Sequence, residues 1–588
     1  DVKILDQTFK LSSLSWGNPH TVLFVDDVLN FDVEKYGPAI EWKTDIFPKK
    51  TNVTFAQIVN KDYIKIREWE RGTGETIGCG TGCSTAVVIG SLLGLTNRLC
   101  EVEQIGGIIE IEYADNGELY MKGPSRISYN RKEKMKKLKD ILNGVSYTIL
   151  KGTNDLEIKN IKYDSRKIEE NDLYIALIGF TSDGHDYVSD AIKKGAKVII
   201  ISKIMEIEDD VTVIKVDDTR LTLAYISKNY FDDPASQLTL IAVTGTTGKT
   251  TTTHMIRDIL LSGNIKCGLI GSQGIKYNDL VIPTDNTTPE SYEVHKAFRE
   301  MLDHGITHVV MEASSQAFKL NRLAGIIFDL GVLTNVTTDH IAPGEHESHE
   351  EYVACKNKLF LNSREIISNN DSLYLKEVLK GAEVPITTYS ITSESDLKVT
   401  NVKLINDNDF FGSEFTTDGI INDTFRTCMP GDFNVYNSIC AILVCYKLGV
   451  SIKTAKESLK TIKVRGRMET ALVTPKYKVL IDHAHTEDGM KGLVRTLRAY
   501  NPKRLVSIFG GGGNRPKERR YNLGEIIGGA SDLCIITMDN PRFEEIESIN
   551  KDIKVGLDKV GAKYIEIPDR ADAIKYACEN ALDGDLIL

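Results

Sequence analysis

From position 135 onward, apolar runs alternate with amphipathic stretches, a rhythm that predicts helices layered on parallel sheets. Gly195-Ala196-Lys197-Val198-Ile199-Ile200-Ile201 reads as one buried strand and Leu238-Thr239-Leu240-Ile241-Ala242-Val243 as a second. Leu505-Val506-Ser507-Ile508-Phe509 reads as a third, and the last two run into glycines. Three successive α/β units follow, 135–232, 233–463 and 464–588, with breaks near Asp233-Pro234 and Val464-Arg465-Gly466. Residues 1–131 have another texture. Short alternating runs such as Thr21-Val22-Leu23-Phe24-Val25 and Ile108-Ile109-Glu110-Ile111-Glu112-Tyr113 read as strands. A Gly-rich loop, Gly72 to Gly82, feeds an apolar helix from Ser84 to Leu93, so this segment is α+β. The basic run Arg131-Lys132-Glu133-Lys134-Met135-Lys136-Lys137 marks the seam, and Met135 within it suggests a gene fusion.

Composition narrows the function classes. A chain of 588 residues with 41% hydrophobic and 26% charged residues suits several globular domains. The 83 acidic residues outnumber 72 basic ones, which argues against nucleic acid or a membrane surface as partner. Ten cysteines form no CxxC pair, so neither a disulfide framework nor a zinc site is expected. No apolar stretch reaches the roughly 18–20 residues that span a bilayer. The expected setting is the cytoplasm, without membrane insertion. The chain opens at Asp1 in mid-pattern and closes on the strand-like Gly584-Asp585-Leu586-Ile587-Leu588, so truncation at both ends is expected.

The strongest chemical signal is Thr244-Gly245-Thr246-Thr247-Gly248-Lys249-Thr250-Thr251, between a buried strand and a helix at Thr252–Leu261. Glycines let backbone N–H groups turn toward phosphates, Lys249 can reach β/γ oxygens, and Thr250 can ligate Mg²⁺. Val243 stands where the longer phosphate-loop pattern has its first Gly, so this is the shorter form GTxGKTT.

Further motifs follow in a fixed order around it. Asp164-Ser165-Arg166 precedes the loop; Asn286-Thr287-Thr288-Pro289, Glu312-Ala313-Ser314-Ser315, Thr334-Asn335, Asp339-His340 and Lys356 come after it. Gly431-Asp432-Phe433-Asn434, Gly466-Arg467 and Asp539-Asn540-Pro541-Arg542 complete the series. With these, residues 135–588 resemble the Mur ligase family, in particular the branch that adds the third residue of the peptidoglycan stem peptide. The resemblance implies three domains: a first one for the UDP-sugar, a central P-loop ATPase-like parallel sheet, and a Rossmann-like C-terminal domain for the amino acid. It implies ATP-dependent ligation of an amino acid to UDP-MurNAc-L-Ala-D-Glu through an acyl phosphate, with two Mg²⁺ ions neutralising crowded oxygens.

By that resemblance Thr250, Glu312 and His340 hold metal, joined by Lys356 once CO₂ has carbamylated it. Gly245, Thr246, Thr247, Gly248, Lys249, Thr250 and Thr251 hold the ATP phosphates, with Asn434, Arg467 and Asp482 completing the nucleotide site. Ser165 and the loop containing Phe180, Thr181 and Ser182 take the uridine end. Asn286, Thr287, Thr288, Ser314 and Arg322 take the peptide and phosphates. Leu320, Gln316 and His483 depart from the family's usual residues. Arg515 and Asp539, Asn540, Pro541 and Arg542 are the amino-acid side. The DNPR form points to meso-diaminopimelate, whose distal carboxylate suits a bidentate Arg fork that lysine cannot satisfy. The stretch His340-Ile341-Ala342-Pro343-Gly344-Glu345-His346 is more like lysine-adding relatives, but belongs to the metal centre. Two alternatives stand beside this reading. Folylpolyglutamate synthetase shares the phosphate loop but not the 539–542 motif; a non-catalytic nucleotide-binding module would not keep Lys249, Glu312, His340 and Lys356.

Residues 1–131 resemble the C-terminal half of diaminopimelate epimerase, carried by Gly17-Asn18-Pro19-His20, Thr51-Asn52-Val53-Thr54-Phe55 and the run Glu70 to Gly82. The resemblance makes Cys79 one of two thiols that work on opposite faces of an α-carbon. Asn18, Asn52 and Arg71 match substrate-binding positions, His20 and Glu70 match groups assisting the thiols, and Gly80 and Thr81 open a helix expected to bind the α-carboxylate and lower the Cys79 pKa. Cys83 reads as a small buried hydrophobe. The partner thiol belongs to the family's first half, so this half-domain is expected to be inactive alone and to need that half.

Overall fold

Asp1–Arg131 forms one unit and Lys132–Leu588 another, in a computed structural model that describes every residue except 16–17, 124–134, 180–181, 208 and 338–345. In the first unit the helix Gly80–Leu92 buries every residue from Gly82 to Gly90. A helix without a polar face must be enclosed, and an eight-stranded sheet curls round it. Val22, Ala56, Ile64, Val102 and Ile111 close on Cys83, Ala86 and Val87. On the other face, Val33, Tyr36 and Ile40 of the helix Val33–Glu41 pack on Leu23, Val53 and Phe55.

The second unit contains three main sheets. The first has the order Thr148–Lys151, Thr212–Lys215, Val198–Ile201, Leu173–Ile175, Ile161–Lys162, parallel but for its first strand. The second, of eleven strands, has Thr239–Thr244 near its middle, between His308–Glu312 and Phe328–Leu333 and parallel to both. The third has six strands, in which Asp585–Ile587 lies between Tyr477–Ile481 and Arg504–Phe509.

The alternation of strands and helices predicts parallel sheets, and the structure departs from this at the margins. Cys267–Gly271, Gly274–Tyr277 and Leu280–Ile282 form an antiparallel edge, as do Leu397–Asn406, Phe411–Gly419 and Asp423–Thr427. Their connections are too short for a crossover helix, so only hairpins can join them.

The phosphate-loop helix Lys249–Ser262 is buttressed by the helix Asp432–Lys447, whose Ile439, Ala441 and Leu443 are fully buried in one cluster with Met255, Ile256 and Ile259. Ile439→Ala should remove about 2–5 kcal/mol, lowering the calorimetric transition of the second unit. An unchanged transition would mean that this contact does not brace the loop.

Candidate active site

A cleft of about 780 Å³ is lined by Thr246, Lys249, Glu312, Asn434, Arg467 and Asp482, among others. It lies beyond the C-terminal ends of parallel strands, where open α/β sheets bind ligands. Strand register sets Val243 beside Glu312, bringing the loop and the acid to the same end of the sheet. Gly245 has φ +156°, and a Cβ there would stand 1.9 Å from Thr334 Oγ1, so only glycine fits. Asn335 Oδ1 accepts from Thr247 N at 3.0 Å and steadies the turn.

Glu312 is buried at 1% exposure. Its Oε2 accepts from Thr250 Oγ1 at 2.9 Å, and its Oε1 accepts from Ser272 N at 2.9 Å and Ser272 Oγ at 3.0 Å. Hydroxyl and carboxylate oxygens together are the donor set a hard cation such as Mg²⁺ requires. Among the described residues no group of three or more His, Cys, Asp and Glu side chains comes together. His340 lies outside the described residues, as do Phe180 and Thr181.

Two lysines meet at one carbonyl. Lys249 Nζ donates to Gly245 O at 2.7 Å and Thr246 O at 3.1 Å, while Lys356 Nζ donates to the same Gly245 O at 2.9 Å. Lys356, on the helix His349–Leu361, is only 1% exposed, and no carboxylate pairs with it among the described residues. Its Nζ lies 4.5 Å from the Tyr352 ring centroid, and Tyr352 OH bonds Thr246 Oγ1 at 2.9 Å. Burial, then the charge of Lys249, hold the Lys356 amine well below the usual lysine range.

The remaining residues expected on the nucleotide side divide by freedom. Asn434 is committed: its Nδ2 donates to Pro430 O at 2.8 Å and its Oδ1 accepts from Asn437 at 3.0 Å. Asp482 accepts from Met468 N and Ala484 N, both at 2.7 Å, and burial raises its carboxyl pKa. Arg467 lines the cleft, and its side chain makes no hydrogen bond or ion pair among the described residues.

Thr288 Oγ1 donates to Glu312 O at 2.8 Å and accepts from Ser314 N at 3.1 Å. Asn286 is exposed, Thr287 lines the cleft, and Arg322 Nη1 donates to Thr288 O at 2.9 Å. Ser165 is buried at the start of a 3₁₀ turn capped by Asp164, and Ser182 O accepts from Gly179 N at 2.9 Å. Neither Ser165 nor Ser182 lines this cleft, and neither do Arg515 and Arg542.

Arg515 and Arg542 are exposed and make no ion pair among the described residues. Their loops are laced together: Gly513 N donates to Asn540 O at 2.8 Å, and Phe543 N donates to Asn514 Oδ1 at 3.3 Å. The buried Arg520 donates to Gly512 O at 3.1 Å, Glu544 at 2.8 Å and Asp552 at 2.9 Å. Arg542 itself is left-handed, φ +52°.

In the first unit Asn52 links two expected contacts. Its Oδ1 accepts from Arg71 N at 2.8 Å and its Nδ2 lies 3.3 Å from His20 Nε2. Arg71 Nη2 is 3.5 Å from Asn18 Oδ1, and Glu70 accepts from Thr76 at 3.0 Å. Cys79 caps the helix that Gly80 and Thr81 begin, with Sγ 3.3 Å from Thr81 Oγ1. The expected lowering of its pKa is corrected. Burial raises the thiol and the nearby Glu68 carboxylate adds to this, outweighing the Thr81 hydrogen bond.

Residues 157–231, 243–445 and 466–588 match three family descriptions in turn: Mur ligase family, catalytic domain; Mur ligase middle domain; and Mur ligase, glutamate ligase domain. UDP-N-acetylmuramoyl-L-alanyl-D-glutamate--2,6-diaminopimelate ligases of Clostridium perfringens and Clostridium tetani are 38% and 41% identical to it, over 77% of this chain and 93% of each relative. This chain belongs to the Mur ligase family. A solved structure of a ligase of the same name aligns with TM-score 0.60 and 26% identity, over 77% of this chain and 93% of that one. MurF from Acinetobacter baumannii, at 19% identity and TM-score 0.53, shares the three-domain fold. Residues 12–128 match the diaminopimelate epimerase family. Among the described residues of this Mur ligase, no helix is long and apolar enough to cross a membrane.

Sequence reasoning missed several residues of the Mur ligase site. Ser272 shares the Glu312 carboxylate but stands in no recognisable motif. Tyr352 was visible only as a helical aromatic four residues before Lys356, a spacing that puts both on one face. Arg520 had its basic neighbourhood as the sole signal.

The Lys356 amine carries a testable cost. Its folded pKa is depressed, so as pH falls below the ordinary lysine value the unfolded chain takes up a proton that the folded chain refuses. In ligand-free, CO₂-free buffer Lys356→Met should therefore be more stable than wild type, by a margin that widens as pH falls from about 10.5 toward neutrality. Parallel melting temperatures across that window would mean that the amine is not held neutral.

Proposed function

We propose that this Mur ligase joins meso-diaminopimelate to UDP-N-acetylmuramoyl-L-alanyl-D-glutamate at the expense of ATP, through an acyl phosphate, in the cytoplasm. The observation that carries the reading is the meeting of Lys249, Lys356, Thr250 and Glu312 at the ends of adjacent strands. The names and coverage of the curated relatives support the same substrates.

In this reading the N–H groups from Gly245 to Thr251 and the Lys249 ammonium receive the ATP phosphates, with Arg467, Asn434 and Asp482 shaping the rest of the nucleotide site. Mg²⁺ would be held by Thr250 and Glu312, joined by His340 and Lys356, and would supply charge neutralisation for the phosphoryl oxygens. Lys356 is suited to carbamylation because a neutral amine is the form that attacks CO₂. An N–C bond forms as one C=O π bond of CO₂ opens onto oxygen, a proton leaves the nitrogen, and a neutral amine becomes a carbamate anion. Asn286, Thr287, Thr288, Ser314 and Arg322 would hold the peptide and phosphates, and Ser165, Phe180, Thr181 and Ser182 the uridine end.

Arg515, Asp539, Asn540, Pro541 and Arg542 would select the incoming amino acid. The lysine-adding alternative draws on residues 340–346 and not on these loops. For the first unit we propose a diaminopimelate-type half-site built from Asn18, His20, Asn52, Glu70, Arg71, Cys79, Gly80 and Thr81.

Phosphate release from ATP should require both UDP-MurNAc-L-Ala-D-Glu and an amino acid, and Lys249→Ala should abolish it. Release that ignores either substrate would sink the ligase reading. The amino-acid choice is tested separately. A guanidinium deprived of its carboxylate in a closed site costs on the order of 2–5 kcal/mol. Diaminopimelate should thus be preferred to lysine by about a hundredfold or more in kcat/KM. Arg542→Ala should erode that preference by weakening diaminopimelate use, while KM for ATP stays near normal. A wild type that prefers lysine would reverse the assignment.

A further inference from the structure

Between the backbone at Ile178 and that at Thr288, one carboxylate is shared by two guanidinium groups. Arg220, on the helix Thr219–Tyr230 of the first sheet's domain, donates through Nη1 to Glu290 Oε1 and Oε2, both at 3.3 Å. The same Arg220 donates through Nε and Nη2 to Ile178 O, at 3.2 and 3.1 Å. On its other side Glu290 accepts from Arg322 Nε at 3.0 Å, with Arg322 Nη2 at 2.8 Å from the same oxygen. Arg322 Nη1 completes the link by donating to Thr288 O. All three side chains are largely buried, at 17%, 15% and 9% exposure for Arg220, Glu290 and Arg322.

The chemistry of this triad is directional. Two guanidiniums against one carboxylate leave a net positive charge at the junction. Three of Arg322's five N–H groups are committed to the protein, so two remain for an anionic ligand. The fork also fixes their direction, since a planar guanidinium held at Nε, Nη1 and Nη2 cannot rotate. Arg220 meanwhile ties the backbone at Ile178, just before the loop expected to take uridine. One carboxylate thus sets the separation of two subsites on different domains of the unit.

We infer that Glu290 is a positioning residue for the nucleotide-linked substrate, holding Arg322 in register, through Arg220, with the Ile178 backbone that leads in sequence into the uridine loop. The inference rests on the proposed roles of Arg322 and that loop. It has a distinctive consequence: a ligand spanning both subsites depends on Glu290, and a ligand filling only the uridine end does not.

The test uses the full chain and reads KM for UDP-MurNAc-L-Ala-D-Glu, KM for ATP, and inhibition by UDP alone. Glu290→Gln should raise KM for the precursor tenfold or more, leaving KM for ATP, kcat and UDP inhibition within about twofold. Glu290→Asp, which keeps the charge, should recover part of the loss. Arg220→Lys keeps charge without the fork, and should weaken both the precursor and UDP. A folded Glu290→Gln enzyme with unchanged precursor KM, or with ATP affected equally, overturns the inference. Should Glu290→Gln fail to fold, Arg220→Lys decides, and an unchanged precursor KM there overturns it as well. If wild type neither uses the precursor nor responds to UDP, the substrate reading itself falls, and the inference with it. A competent wild type with an indifferent Glu290→Gln removes only the positioning role.

Discussion

Two lysine side chains on one carbonyl oxygen are the constraint around which this ligase is arranged. Lys249 and Lys356 both reach Gly245 O. Two like charges that close in a dry pocket would repel strongly, and either the loss of a proton or negative charge brought from outside relieves it. Lys249 sits at the mouth of the cleft and can turn to a phosphate. Lys356 is sealed behind Tyr352 and cannot escape to water, so its relief must be local: lose the proton, or become an anion. The same pocket therefore favours a polyphosphate at one lysine and an uncharged, nucleophilic amine at the other. Gly245 has to be glycine for that carbonyl to sit there, and the buried helix Asp432–Lys447 has to brace the loop that presents it.

How much of this was legible in the sequence depends on how far a residue's role is local. The phosphate loop, its flanking strand and helix, and the ends of His308–Glu312 follow from short-range pattern, because a Gly-rich turn between apolar strand and helix has few alternatives. Glu312 and Lys356 looked like surface residues by composition, and their burial is a consequence of strand order, which no local pattern encodes. Ser272, Glu290 and Arg520 were invisible for the same reason. Each has a partner 24 or more positions away, respectively Glu312, Arg322 and Glu544. The antiparallel margins of the central sheet were missed because short apolar runs do not announce their direction.

The first unit shows the opposite case, in which a legible motif carried a wrong physical expectation. A helix N-terminus does favour a thiolate. Here Glu68, whose own pKa is raised by burial, lies close enough to raise the thiol further, and a Cβ on Gly82 would meet the Glu68 carboxylate at 2.4 Å. His20 Nδ1 faces that carboxylate at 3.5 Å. After burial, the thiol is thus pushed up further by a residue two positions before the recognised Glu70.

In the proposed selection of the amino acid at Arg542, solvent counts as much as contact. Arg542 is exposed and unpaired among the described residues, and an ion pair formed there in open water is worth only about 0–1 kcal/mol. A hundredfold preference needs nearly 3 kcal/mol, so it cannot arise on the loop as it stands. What the structure supplies is preorganisation: Arg520, 2% exposed, clamps Gly512 O and Glu544, and the two loops share backbone hydrogen bonds. The ordering cost is therefore met in folding and not in binding. The rest must come from exclusion of water when both substrates are bound, because only then does an unmatched guanidinium cost more than its hydration returns. Discrimination between diaminopimelate and lysine is on this account a property of the assembled ternary complex, and binding of the free amino acid to the unliganded enzyme should discriminate far less than turnover does.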